Sequence, residues 1–281
     1  MEGISKKVEA DGFVDTKKLI TEFLGIFALT FIGSWVIVYK DINEILTTGV
    51  AFTHGLTITV FTWITLDVSG SHFNPAITLA LIINKKIEWS LGIFYIITHF
   101  LGAMAGAGFI YIQMTDQMSA IVEEKSVIGI PKPGSPHYDV SGFWAELLGT
   151  FFITYTYMAL FIDCGKKKSA DWYPIAMGMI YFICMVTIGE VSGGAFNPAR
   201  AMGPAIMASE YGSIQMNQFF GAFIGGILGS IFYSSIFIDE EDDEEHMDIT
   251  QSGAGSNGPL TDSAMKEYIM PVSEKNDIEL K

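Results

Sequence analysis

Six stretches of this chain stay apolar for about the length a helix needs to cross a bilayer, and nothing else in the sequence restricts its fold as strongly. They run roughly over residues 19–39, 45–66, 89–112, 142–162, 172–191 and 218–238. In hydrocarbon, backbone N–H and C=O groups find no water, so only helices and closed barrels can span it, and uninterrupted runs of this length read as helices. Half of the residues are hydrophobic, the mean hydropathy is +0.38 and 17% are charged. Soluble domains carry about 25% charged residues, so composition argues against that class.

Two shorter apolar segments, 74–83 and 197–207, each open on Asn-Pro and hold about three helical turns, too few to cross the hydrocarbon. They sit at matching places in two halves. Ser69-Gly70, Asn74-Pro75-Ala76 and Gly55 recur 123 residues later as Ser192-Gly193, Asn197-Pro198-Ala199 and Gly178; Glu22 recurs 124 residues later as Glu146. With three spans per half, equivalent spans run in opposite directions. The expected fold class is an all-α membrane protein: six transmembrane helices plus two re-entrant half-helices in an inverted 3+3 repeat. Glycines spaced by four, Gly102 and Gly106, then Gly221, Gly225 and Gly229, read as helix-packing positions.

Lysines orient the bundle. Lys6, Lys7, Lys17 and Lys18 precede the first span, Lys85 and Lys86 follow the first half-helix, and Lys166, Lys167 and Lys168 lie between spans four and five. Even numbers of spans place all three clusters and both termini on one side, the cytoplasm by the positive-inside rule. Lys40, Lys125 and Lys132 fall on the other side, where the long loop 113–141 contains Pro131, Pro133 and Pro136, and His137 reads as a surface residue. The first 18 residues are too polar for a cleavable signal peptide.

The motifs are Ser69-Gly70-Ser71-His72-Phe73-Asn74-Pro75-Ala76 and Ser192-Gly193-Gly194-Ala195-Phe196-Asn197-Pro198-Ala199-Arg200. A helix N-terminus exposes unpaired N–H groups and a partial positive charge. Pro just inside the start loses no hydrogen bond, and Asn before it can cap the end while keeping an amide donor. Inverted symmetry brings both positive ends to the bilayer midplane, where irregular backbone is tolerated only inside protein or along a water-filled path. Asn74 and Asn197 are then expected to offer two donors to one water oxygen. That orients its protons away from the centre and interrupts a proton wire, while the positive ends repel cations.

Arg200 is the sole arginine of the chain and follows the second motif directly. An intramembrane cation is a functional hypothesis; the alternative is a structural ion pair, and the two are compatible. Glu22 and Glu146 are intramembrane acids that read as braces for the half-helix loops. Cys164 and Cys184 give neither a disulfide framework nor metal spacing, and Cys184 reads as helix packing. Most of the net charge of −15 belongs to the tail: residues 239–281 hold 13 of the 31 acidic residues and 3 of the 16 basic ones, opening with seven consecutive acids. That tail is read as a disordered, solvated segment, or else a docking one.

Across about 18–238 these residues resemble the aquaporin, or major intrinsic protein, family. The resemblance implies a homotetramer with one pore per subunit, the bilayer and water as partners, no cofactor, no metal and no nucleic acid. It also implies an outer constriction formed by His54, Met185, Gly194 and Arg200, which resembles that of tonoplast-type aquaporins, some of which pass ammonia. The family's glycerol channels carry Asp after the arginine; here Ala201 stands there. His99, where the family usually has Gln, is read as an interior hydrogen-bonding residue. The domains implied are a cytoplasmic segment 1–18, a channel domain 19–238 with halves 19–112 and 142–238, and the acidic tail 239–281.

The leading functional expectation is a passive water channel that excludes protons and ions, with ammonia and other small neutral solutes as further candidates, in the plasma membrane or an internal vacuolar membrane. Lys166-Lys167-Lys168-Ser169 suits either an orientation signal or a phosphorylation switch that gates the pore from the cytoplasm. The alternative class is a junctional or scaffolding protein that recruits partners through its tail. No nucleophile–base set, metal cluster or phosphate-cradling loop points to an enzyme.

Overall fold

The structure is a computed structural model and describes residues 16–43, 46–113, 127–134, 139–162, 172–210 and 212–237. The acidic tail, Ser169 and the three lysines before it lie outside the described residues. Among the described residues eight helices follow in order: α1 (Thr16–Asn43), α2 (Thr47–Ser69), α3 (Pro75–Ile83), α4 (Trp89–Gln113), α5 (Asp139–Tyr157), α6 (Tyr173–Ser192), α7 (Pro198–Ala208) and α8 (Ser213–Phe237). A short 3-10 turn, Val127–Gly129, precedes α5, and α5 ends in a π turn, Met158–Ile162. Among the described residues there is no strand.

Five helices, α1, α2, α4, α6 and α8, are long and apolar enough to cross a membrane by length and composition. The sixth, α5, has 19 residues and turns the polar Glu146, Thr150 and Thr154 into the interior. Outward, large apolar side chains such as Phe52, Leu56, Trp63 and Ile64 of α2 and Phe220, Leu228 and Ile231 of α8 are exposed. That is the surface of a helix bundle solvated by lipid.

Packing obeys the repeat. Helix α1 lies on α4 and α2, as α5 lies on α8 and α6; α2 and α6 face each other across the middle. Each half-helix packs on the third span of the other half, α7 on α4 and α3 on α8. Gly102 and Gly106 let α4 approach the α1 backbone at Phe23 and Phe27, and Gly225 and Gly229 let α8 approach α5 at Leu147 and Phe151. Without a hydrophobic force between helices in lipid, such close backbone contact supplies much of the association. Asn84 ties the end of α3 to α8, donating to Ser230 Oγ at 3.0 Å and accepting from Ser234 Oγ at 2.7 Å.

The two loops before the half-helices share one backbone path. Gly70 and Gly193 end α2 and α6 with φ of 86° and 97°, a left-handed cap that favours glycine. Phe73 and Phe196 then both adopt φ of 47°, a region costly for a side chain with a Cβ.

Gly225 sets the α5–α8 spacing, so Gly225→Val is expected to cost about 1–3 kcal/mol through overpacking. A lowered thermal unfolding midpoint of the detergent-solubilised protein is the measurement; an unchanged midpoint would show that the two helices can part freely.

Candidate functional site

The site is built where the two half-helices meet. Asn74 and Asn197 hold extended backbone as the N-caps of α3 and α7. Asn74 Oδ1 accepts from Ala76 N–H at 2.9 Å, and Asn197 Oδ1 accepts from the N–H groups of Ala199 and Arg200 at 3.0 and 3.2 Å. The amide nitrogens cross between the halves: Asn74 Nδ2 donates to Phe196 O at 2.9 Å, and Asn197 Nδ2 donates to Phe73 O at 2.7 Å. Pro75, Ala76, Pro198 and Ala199 are buried in the first turns behind them.

The expected equivalence of the two asparagines is modified. Asn74 Nδ2 also donates to the Tyr181 hydroxyl at 3.1 Å, so both of its N–H bonds have protein acceptors. Asn197 has one such bond, and its second N–H has no partner among the described residues. Tyr181 carried no motif and was not among the expected site residues.

Glu22 and Glu146 are fully buried and lie against these loops. Glu22 accepts from His72 N–H at 3.0 Å, Phe73 N–H at 2.8 Å and Ser69 Oγ at 2.6 Å. Glu146 accepts from Ala195 N–H at 2.9 Å and Phe196 N–H at 2.6 Å. Each carboxylate thus takes the N–H of a phenylalanine in the left-handed region. His99 Nε2 lies 2.7 Å from Glu22 Oε2; one repeat of 123 residues later stands Ala222, so the equivalent position supplies no imidazole to Glu146. Loop carbonyls are held too: Tyr95 donates to Ser69 O at 3.1 Å, and Gln218, its repeat mate, donates to Ser192 O at 2.6 Å.

Arg200, on the first turn of α7, is 1% exposed. Its Nη2 donates to Gly129 O at 3.3 Å, while Nε and Nη1 are buried without a protein partner among the described residues. Gly129 belongs to the short 3-10 turn, which Ile128 and Ile130 anchor in an apolar cluster with Ala107 and Ile110. Gly129 was not expected at the site. The one trace of it was the run Val127-Ile128-Gly129-Ile130, apolar inside a polar loop.

His54 donates from Nδ1 to Val50 O at 2.9 Å, because a carbonyl can only accept; the neutral ring then keeps an acceptor at Nε2, beside Gly33. Met185 is buried against Gly189 and Gly194, and a Cβ on Gly194 would stand 3.2 Å from Met185 Cε. A cavity of about 260 Å3 opens above this group, lined among others by Thr47, Val50, Ile130, Met185, Gly189 and Glu190. At its mouth Lys40 Nζ lies 3.8 Å from Glu190 Oε2, and nearby Lys132 Nζ lies 2.9 Å from Glu210 Oε2. Met185 lines this opening, His54 is buried one helical turn from the lining residue Val50, and Arg200 is buried against Gly129, next to the lining residue Ile130, whereas Ser169 is outside the described residues.

Residues 9–233 match the family model described as Major intrinsic protein. The chain is 33% identical over 195 residues to a glycerol uptake facilitator protein-like 6 of Lactiplantibacillus plantarum, covering 68% of this chain and 84% of that one. It is 32% identical to aquaporin TIP2-1 of Arabidopsis thaliana, covering 68% and 72%, and 30% identical to aquaporin NIP2-2 of Zea mays, covering 80% and 72%. Among solved structures, the aquaglyceroporin from Plasmodium falciparum matches with a TM-score of 0.67 at 20% identity, covering 79% of this chain and 97% of that one.

Glu146→Ala leaves the N–H groups of Ala195 and Phe196 buried without acceptors, at about 1–3 kcal/mol each. Thr150→Val removes a buried hydroxyl that has no partner among the described residues and should be neutral or stabilising. Thermal unfolding of both variants in one detergent tests the pair; equal midpoints would deny Glu146 its bracing role.

Proposed function

The chain belongs to the major intrinsic protein family, and from that premise we propose that it is a passive water channel that excludes protons and ions. Family membership makes it an integral membrane channel for water or small neutral solutes, not an enzyme. The observation that carries the finer reading is the meeting of two half-helix N-termini, capped by Asn74 and Asn197, with an Asn197 N–H left unpartnered at the crossing. A water there accepts a hydrogen bond at its oxygen and turns its protons outward. Two positive helix ends repel cations, the known logic of aquaporin-type pores.

His54, Met185, Gly194 and Arg200 form the selectivity constriction in this reading. The unpartnered Nε and Nη1 of Arg200 supply donors and fixed positive charge, His54 Nε2 supplies an acceptor, and Met185 fills the space that Gly194 leaves open. Ammonia and other small neutral solutes are further permeants. The name of the Lactiplantibacillus relative keeps glycerol among the solutes to test.

We place the Lys40–Glu190 mouth outside the cell or in the vacuolar lumen, and both termini in the cytoplasm, from the lysine distribution. Four copies assemble through part of the exposed apolar surface, and the rest meets lipid. Phosphorylation of Ser169 after three lysines would gate the inner side; Ser169→Asp and Ser169→Ala must then differ in water flux.

Stopped-flow light scattering on vesicles containing the purified protein tests the proposal. Water flux should exceed that of empty vesicles with a lower activation energy, while proton flux stays at background. Arg200→Ala should admit cations; a permeability profile identical to wild type would remove Arg200 from the filter.

A further inference from the structure

The two asparagines are repeat mates, yet one has lost its free donor. The hydroxyl that takes it comes from Tyr181 on α6, a residue 3% exposed and 107 positions away in sequence. The position one repeat of 123 residues earlier is Ile58, which has no hydroxyl, so nothing equivalent reaches Asn197. Tyr181 lies one helical turn from Met185, on the same face of α6. Of the α6 residues that line the opening, Met185 lies farthest from the Gly193 end, so Tyr181 stands deeper than the constriction.

The geometry points to Tyr181 as a further selectivity residue at the middle of the path, where its hydroxyl stands between Asn74 and the permeant and its ring closes the α6 side to polyols. This rests on the channel reading given above. The phenol oxygen accepts from Asn74, and its own proton has no acceptor among the described residues. A water at the crossing therefore meets two donors, Asn197 N–H directly and Asn74 through the Tyr181 O–H. Its orientation is kept, but the space in which it turns is smaller by a phenol. A molecule that fills the path meets these two donors and must pass the ring edge. Water accepts both and ammonia, with one lone pair, accepts one, and each is small enough to pass; a three-carbon polyol is too wide for the ring edge.

Full-length wild-type protein, Tyr181→Phe and Tyr181→Ile, reconstituted in the same vesicles, test this by stopped-flow with osmotic and glycerol gradients. Tyr181→Phe keeps the ring but frees the Asn74 donor and one oxygen's width. Its water flux should rise up to about fivefold, the worth of one hydrogen bond, with glycerol still at background. Tyr181→Ile places the side chain of the repeat mate and should raise glycerol flux by about tenfold or more. Conduction by Tyr181→Ile where wild type is silent would support the same assignment. If wild type moves water and both variants match it for water and glycerol, Tyr181 is a packing residue and the inference falls alone. A loss of water flux in a Tyr181→Phe protein that elutes and melts like wild type would also overturn it. If neither wild type nor variant exceeds empty vesicles, the channel reading itself falls.

Discussion

Everything at the centre of this molecule depends on two carboxylates that accept hydrogen bonds where lipid and apolar side chains accept none. The loops that lead into α3 and α7 are irregular, and each contains a phenylalanine at φ of 47°. A non-glycine residue held there costs on the order of 1–3 kcal/mol, and an unpaired buried N–H costs a similar amount. Glu22 and Glu146 remove the second cost from the residues that bear the first. With the loops held, the Asn caps are aimed, and with the caps aimed, the helix ends face each other.

Around that shared backbone the side chains diverge. Glu22 has His99 as a neighbour where Glu146 has Ala222 at the equivalent place. Ser69 O receives a phenol and Ser192 O an amide. Arg200 corresponds to Ile77, Met185 to Thr62 and Tyr181 to Ile58. The electrostatic field of the paired helix ends belongs to the common backbone. In the channel reading proposed above, what distinguishes one solute from another belongs to such unequal pairs, and Arg200, Met185 and Tyr181 all lie on the second half.

Much of this architecture could be read from local signals. Span length, the Asn-Pro starts and the constant offset of 123 residues are short-range or periodic features, and the helices and caps follow them closely. What escaped were contacts between residues far apart in sequence with no pattern of their own. Tyr181 looks like one more aromatic in an apolar helix until the fold brings its hydroxyl to the Asn74 cap of α3. Gly129 offers a bare carbonyl, which any residue has; only the anchoring of Ile128 and Ile130 directs it at Arg200. The π turn after Tyr157 likewise has no proline or glycine to announce it.

The crossed amide bonds have the form of an isologous interface: Asn74 reaches the residue before Asn197, and Asn197 reaches the residue before Asn74. Two separate, identical halves could meet in the same way as a two-fold dimer. Such a dimer would be bound to present the same side chains at equal depths on either side of the midplane, so that both entrances were alike. Joining the halves in one chain does more than raise their local concentration. It releases each matched position from its twin, so a tyrosine can stand at one depth while an isoleucine stands at the mirrored depth beyond the midplane. A rotationally symmetric frame thereby encloses a passage with a direction.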